Sequence, residues 1–373
     1  MKNLITYILP VSSQPRFHKR IQSFEDQNHS SLIFSFERNY FEGKKKDIEY
    51  TSLGYVAHGN YLSRIKKMYI ALRILARNKD KISESLCLYS FGLDNAVMAL
   101  IVRYLIIRKR IKVVCEIGDI RSKMVGNSLF SKCLRKLERL VLRKVDCIVV
   151  TAPAYRDEYL IKLQKLPMEK IEVIENKLYP PIPDVQLKQN MDGRPLVIGL
   201  FGLLRCQRSW NIISRLAEHN RQNIQIYIRG FLLNISDFQE KLNQYPNMRF
   251  EGEYVSPDDL ADMYAKVDIC WIANMSNNDI NGNWALPNRY YESIYYHTPI
   301  IAHAKSGVAP RIEQNKCGWT VDFDDEESAI RQIESLTRDE VLEKMNNCKN
   351  VDQKDLVGTR DHDIFIRHII GTI

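Results

Sequence analysis

The stretch Asp268–Ala302, DICWIANMSNNDINGNWALPNRYYESIYYHTPIIA, decides how the chain is read. Ile269 to Ala273 is a short apolar run of the kind that forms a buried strand. Asn274 to Asn283, rich in Asn, Asp and Gly, reads as a loop. Pro287 stands where a helix can begin, because the first helical residue has no amide hydrogen bond to lose. The helix predicted from Asn288 to His297 carries Arg289 and Glu292 near its start, and Ile300 to Ala302 is a second apolar run. Strand, long loop, helix and strand in that order gather charge at one helix N-terminus. In an open α/β sheet, ligands bind beyond the carboxyl ends of the strands, at the helix starts that follow.

The 373 residues are long for one domain and comfortable for two. A hydrophobic content of 45% can supply two cores and speaks against disorder. The net charge of +9 suits an anionic partner: nucleic acid, anionic lipid or a phosphorylated substrate. None of the eight cysteines forms a CxxC pair, and Cys115, Cys147 and Cys270 lie inside apolar runs. Reduced, buried thiols are expected, with neither a disulfide framework nor a metal centre. The N-terminus reads as a first core strand rather than a signal peptide. No apolar run approaches the ~20 residues that span a bilayer.

Outward from Asp268–Ala302, short apolar runs alternate with amphipathic helices. Leu4–Leu9, Leu32–Phe36, Leu86–Phe91, Lys112–Ile117, Cys147–Val150 and Ile171–Ile174 read as strands, and Phe41–Gly54 as a loop or edge hairpin. Helices are expected over Arg16–Phe24, Tyr61–Lys81, Asn95–Arg108, Ser128–Lys144 and Ala154–Lys165. Tyr179–Arg194, with three prolines and Gly193, breaks the pattern, which restarts at Leu196–Phe201. Ser256-Pro257-Asp258-Asp259 reads as a helix start with Ser256 as its cap. Such alternation predicts two doubly wound parallel sheets, Rossmann-like, facing a cleft. The expected domains are 1–180, a linker over 181–194, 195–355, and a C-terminal helix in 356–373 that packs back on the first domain.

Four constellations could carry chemistry. Gly202 opens a turn that leads through Arg205 and Arg208 to a helix with Ser209 as candidate cap, which suits phosphate. Glu292 could accept two hydrogen bonds from a ribose diol. Gly307, Val308 and Ala309 form another strand-to-helix turn. Gly118 and Asp119 end a first-domain strand, where Asp119 could orient or deprotonate a hydroxyl, and Arg16 and His18 follow the first strand at an equivalent end. Each also has a plain structural reading: a solvated arginine, an acid on a helix dipole, an ordinary loop, a capping Asp.

Several motifs act together. Lys144-Val145-Asp146 precedes a strand, Ile171-Glu172-Val173-Ile174-Glu175-Asn176 closes the first domain, and Phe201-Gly202-Leu203 opens the second. Tyr254 to Asp268 leads into Ala285-Leu286-Pro287-Asn288-Arg289-Tyr290-Tyr291-Glu292 and His297-Thr298-Pro299-Ile300-Ile301-Ala302. This series resembles the GT-B glycosyltransferases, in particular the family 4-like enzymes of bacterial surface polysaccharide biosynthesis. The resemblance covers most of the chain and is strongest from Val145 to Asp322.

It implies a GT-B fold and transfer of a sugar from a UDP- or GDP-sugar to a glycan acceptor, expected to sit on a polyprenyl-diphosphate lipid, with retention of configuration. It also implies no prosthetic group and no metal requirement. Gly202, Arg205, Arg208, Asn288, Arg289, Glu292 and Gly307 to Ala309 would hold the nucleotide. Arg16, His18, Gly118, Asp119 and Trp284 would face sugar and acceptor. Trp284 stands where many relatives place an acid, and Gly118 where many place a histidine. The cationic helices Tyr61–Lys81 and Ser128–Lys144 add an expectation of peripheral attachment to an anionic membrane, on its cytoplasmic face. The alternatives are a GT-B sugar-nucleotide epimerase and a basic nucleic-acid-binding protein. For the latter the sequence has no RRM, KH or zinc signature.

Overall fold

The computed structural model describes residues 3–37, 48–56, 61–188, 190, 192–275 and 280–371; for 61–65 it describes the backbone alone. Residues 41–47 of the expected loop or hairpin, 276–279 of the expected donor loop, and the side chains of Leu62, Arg64 and Ile65 lie outside that description. The chain divides into two compact units, one of Met1–Glu175 with Gly358–Ile373, the other of Asn176–Val357. Residues 181–188 therefore belong to the body of the second unit. There Lys188 donates to the carbonyls of Tyr264 (2.8 Å) and Val267 (2.6 Å) and to Thr298 Oγ1 (2.7 Å).

In the first unit the strands are β1 (Leu4–Leu9), β2 (Ser30–Glu37), β3 (Thr51–Tyr55), β4 (Ser85–Phe91), β5 (Lys112–Ile117), β6 (Cys147–Val150) and β7 (Ile171–Val173). They form one parallel sheet in the order β3-β2-β1-β4-β5-β6-β7. In the second unit they are β8 (Leu196–Leu204), β9 (Ile224–Leu232), β10 (Met248–Phe250), β11 (Ile269–Trp271), β12 (Ile300–His303) and β13 (Gly318–Val321). Their order, β10-β9-β8-β11-β12-β13, repeats that of the first six strands of the other sheet. Both are doubly wound sheets whose order reverses next to the first strand, between β1 and β4 and between β8 and β11. A ligand is expected at that reversal. The strands read as continuous apolar runs because helices cover both faces of a parallel sheet.

One aspartate in each unit joins the strand it precedes to its neighbour. Asp146, before β6, accepts the Val113 amide (2.8 Å) and pairs with Arg103. Asp268, before β11, accepts the Val197 amide (2.8 Å) and pairs twice with Arg194 (2.7 and 2.8 Å). The C-terminal helix Thr359–Ile370 lies in the first unit, where Phe365 packs edge-on against Phe24 and Tyr89 at 6.2 and 6.1 Å. Burial of one such ring is worth about 1.5–3 kcal/mol.

Some local expectations shift. Thr51–Tyr55 is a parallel edge strand, held by little more than buried Leu53, so its composition looks like a loop. Ser256 does not cap a helix. Instead the Asp259 carboxylate accepts the Val255 amide (2.8 Å), and the helix starts at Leu260. Pro287 is an extended cap residue (φ −72°, ψ 152°) rather than the first helical one. The loop after β11 holds a short helix, Ile280–Trp284.

Candidate functional site

The second unit places a bare backbone at its reversal point. Gly202 (φ +93°) and Gly230 (φ +146°) are register partners on β8 and β9. A methyl group on Gly230 would stand 1.9 Å from the Gly202 carbonyl oxygen, so only glycine fits there. Above Gly202 lie the Tyr254 hydroxyl (3.8 Å from a Cβ built there) and the Arg289 side chain (3.9 Å). Arg289 also donates to the Trp271 carbonyl at the end of β11 (3.3 Å). Beside them begins the helix Gln207–His219, capped by Cys206 and not by Ser209: Cys206 Sγ accepts the amides of Ser209 (3.4 Å) and Met275 (3.2 Å). Ser209 turns inward and donates to the Ala273 carbonyl (2.6 Å).

Arg208 therefore sits in the first helical turn. It pairs with Glu326 (2.7 Å), lies 3.8 Å from Asp324 and donates to the Phe323 carbonyl. Glu292 is 2% exposed and accepts from Tyr264 at 3.3 Å, while desolvation of the Tyr254 hydroxyl, and after it the Glu292 charge, push that hydroxyl's pKa up. The Gly307 turn packs onto the backbone of Asn283 to Ala285, within 3.0 Å of a Cβ built on Gly307. This brings the Trp284 segment against the turn that contains Val308 and Ala309. The helix beginning at Ala309 has only seven residues. Asn288 opens the helix Asn288–Tyr295. Among the described residues, one group could present metal ligands: His303, Asp322 and Asp324, within 4.8 Å of one another. Lys305 already pairs with Asp324.

The first unit is built differently at its reversal point. A pocket of about 700 Å³ opens beyond β1, β4 and β5 and is lined by Arg16, Gly118 and Asp119. His18, farther along the helix Pro15–Glu25, is not among its lining residues. Beneath the pocket lies buried Glu116. It accepts from Arg20 (3.0 Å) and Tyr89 (2.7 Å) on one oxygen and faces Arg16 Nε (3.4 Å) with the other. Arg20 donates in turn to His362 Nε2 (2.7 Å) and the Ile174 carbonyl (2.8 Å). Glu116, Arg20, Tyr89 and His362 were not singled out in the sequence, where they are scattered over the chain. Gly230 had a readable signal, an apolar run ending in glycine like the run that ends at Gly202.

A model of the glycosyl transferases group 1 matches residues 209–355. That stretch is similar to the glycosyl transferases of group 1. The group 1 match takes in the Gln207–His219 helix from Ser209 onward, Gly230, Arg289 and the Gly307 turn, and leaves out Gly202, Arg205 and Arg208. A succinoglycan biosynthesis protein, ExoL of Rhizobium meliloti (strain 1021), is 26% identical over 249 residues, 64% of this chain. The chain spans 62% of the length of that relative. Solved structures share the fold across both units. The lipopolysaccharide outer core galactosyltransferase WaaB in its apo form has a TM-score of 0.60 at 13% identity, covering 99% of this chain and 100% of its own. Anabaena HepE in complex with UDP-glucose has a TM-score of 0.71 at 12% identity, again covering 99% and 100%. The chain thus has a GT-B fold of two Rossmann-like sheets.

Proposed function

We propose that the chain transfers a sugar from a nucleoside-diphosphate sugar to a glycan acceptor carried on a lipid, with retention, during polysaccharide assembly. The observation that carries the donor half is the meeting of the Gly202–Gly230 floor, Arg289 and the Cys206-capped helix start at the β8–β11 reversal. The complex of HepE with UDP-glucose supports a uridine nucleotide, and the succinoglycan relative supports the product class.

In this reading Arg205, Arg208 and Arg289 take the diphosphate, and Glu292 takes the ribose beside Asn288. The departing diphosphate gains negative charge, and fixed cations with helix amides stabilise it where that charge develops. Arg208 exchanges Glu326 for phosphate. Both side chains of that pair are about a third exposed (32% and 35%), so it costs little to open. The Gly307–Ala309 turn adds its amides to the phosphate, and Trp284 faces the sugar. Asp119, in the first unit, orients or deprotonates the acceptor hydroxyl. No metal enters the scheme.

A panel of UDP- and GDP-sugars tests the donor half, since a ligand that binds the folded state raises Tm. Stabilisation by none of them would sink the proposal. Donor turnover at the same rate with and without acceptor would make the protein an epimerase or hydrolase. Glu292→Gln and Arg208→Ala are each expected to weaken UDP binding by about 1–3 kcal/mol, read by calorimetry.

The lipid-borne acceptor implies work at a membrane surface. Among the described residues no helix is long and apolar enough to cross one. The helix Leu129–Leu142 exposes Leu129, Phe130, Leu137 and Leu140 beside Lys132 and Lys136, the composition of an interfacial helix. Flotation with anionic vesicles tests peripheral attachment on the cytoplasmic face; equal behaviour with neutral vesicles would remove it.

A further inference from the structure

The chain that leaves β10 brings Tyr254 to the Gly202–Gly230 floor and is fixed there on both sides of that residue. Before it, the Arg229 guanidinium donates to the carbonyls of Gly252 (3.3 Å) and Glu253 (2.6 Å). After it, the Asp259 carboxylate accepts the Val255 amide (2.8 Å). Arg229 and Asp259 face each other at 3.6 Å, which closes a clamp around the tyrosine. Arg229 is buried on β9 beside Gly230, whose own amide donates to the Gly252 carbonyl (2.8 Å). The strand that supplies half of the bare floor therefore also sets the height of Tyr254 above it.

The Tyr254 hydroxyl ends over that floor, 3.8 Å from a Cβ built on Gly202, and Cδ and Nε of Arg289 lie 3.9 Å from the same point. Other tyrosines of this unit use their hydroxyls within the protein. Tyr227 donates to Glu251 (2.6 Å), Tyr264 to Glu292 (3.3 Å) and Tyr296 to the Pro183 carbonyl (3.0 Å). Tyr254 makes no such bond among the described residues. A hydroxyl drawn out of water ordinarily has a partner.

Desolvation raises the pKa of this hydroxyl, the Glu292 charge adds to the rise, and Arg289 opposes it. The group keeps its proton through the neutral pH range and offers it as an uncharged donor. What the arrangement lacks is an acceptor. Arg289 beside it attracts an anion, and glycine backbone below lets one approach closely. A phosphate oxygen meets all three conditions.

We infer that the Tyr254 hydroxyl donates a hydrogen bond to the diphosphate of the nucleotide bound over Gly202, next to Arg289. The inference deepens the proposed function and rests on it for the identity of that nucleotide. The tyrosine keeps its proton throughout, so it holds the leaving group and enters no bond change. Because the diphosphate gains negative charge as it departs, a donor already aimed at it stabilises the departure.

Tyr254→Phe keeps the ring and removes the hydroxyl. UDP, GDP and inorganic pyrophosphate are titrated calorimetrically into the full chain and into this variant. Whichever of them the wild type binds, the variant should bind about tenfold more weakly, as expected for a lost hydrogen bond to a charged group, at an unchanged urea midpoint. Asp259→Ala opens the clamp while leaving the hydroxyl in place. It should weaken the same ligands, and it stands in if Tyr254→Phe does not fold. The inference is overturned, with the transferase reading intact, if UDP or GDP binds the wild type and binds Tyr254→Phe as tightly. A fall in the urea midpoint of Tyr254→Phe to match its loss of affinity would mark a packing role and overturn it too. If the wild type binds pyrophosphate but neither nucleotide, and Tyr254→Phe weakens that binding, the transferase reading falls and the phosphate contact stands. If the wild type binds none of the three, both fall.

Discussion

The two units are one scaffold used twice, and they differ where it matters for binding. Both wind their strands in the same order, and both join two strands through an aspartate that accepts a neighbour's amide, Asp146 in one and Asp268 in the other. At the reversal of strand order they part. The second unit clears side chains away: Gly202 and Gly230 face each other, and cations stand at the margin. The first unit fills the same place with a buried carboxylate and a guanidinium posed over Gly118. Bare backbone at a strand end admits a flat, phosphate-bearing ligand closely, whereas an oriented side chain selects one group on a ligand of mixed character.

The sharpest way to break this contrast is to put side chains on the bare floor. Gly230→Ala forces a methyl into the Gly202 carbonyl at 1.9 Å, and one strand must move. A loss of about 3 kcal/mol or more is expected in urea unfolding, together with loss of UDP binding. Gly252→Ala is the control. Its φ of +74° is unfavourable for alanine, but no atom lies within 4 Å, so about 1–2 kcal/mol is expected. Equal effects at the two positions would show that the close approach is not what glycine provides.

The shared aspartate gives the next test, because the same device is buried in one unit and half open in the other. Asp268→Ala leaves Arg194 and the Val197 amide without their acceptor in a site where the acid is 1% exposed, and should cost about 3–5 kcal/mol. Asp146 is 39% exposed, so water replaces much of what Asp146→Ala removes, and about 1 kcal/mol is expected. Chemical denaturation of the two variants reads the difference directly. A costlier Asp146 would mean that its amide contact, not burial, sets the scale.

Much of this was legible in the sequence, and the reason is periodicity. Apolar runs alternating with amphipathic helices fix the α/β class, and the stretch from Ile269 to Ala302 gives strand, loop, helix and strand, with the ends displaced and a short helix, Ile280–Trp284, inside the loop. Cap chemistry was harder to read. Ser209 and Ser256 look like caps, but Ser209 has a buried carbonyl to bond at Ala273, and Asp259 closes the turn that Ser256 was expected to start. Gly202, Arg205 and Arg208 stand out in the sequence because they lie close together along the chain, and Arg289 because it opens a helix after Pro287. Glu116, Arg20 and His362 were not, because their association is made by the fold alone, across as many as 342 residues. Nor could spacing reveal that Arg16 occupies the room left by Gly118.

The subtlest expected effect concerns an acid that has no counterpart contact with an arginine among the bonds it makes. Glu138, in the helix Leu129–Leu142, is buried and accepts from Tyr159 and Gln164. Burial raises its pKa above the ordinary 4.5, although both hydrogen bonds oppose the rise. The folded chain therefore holds this proton at pH values where the unfolded chain has released it. Stability is then greatest below the ordinary carboxylate value and declines as pH rises from about 4.5 through the raised folded value. Glu138→Gln keeps the size and the hydrogen-bonding atoms but removes the titration. Denaturant midpoints measured across that window should fall with pH in the wild type and fall less in the variant. Parallel slopes would show that Glu138 stays ionised when folded, held by Tyr159 and Gln164.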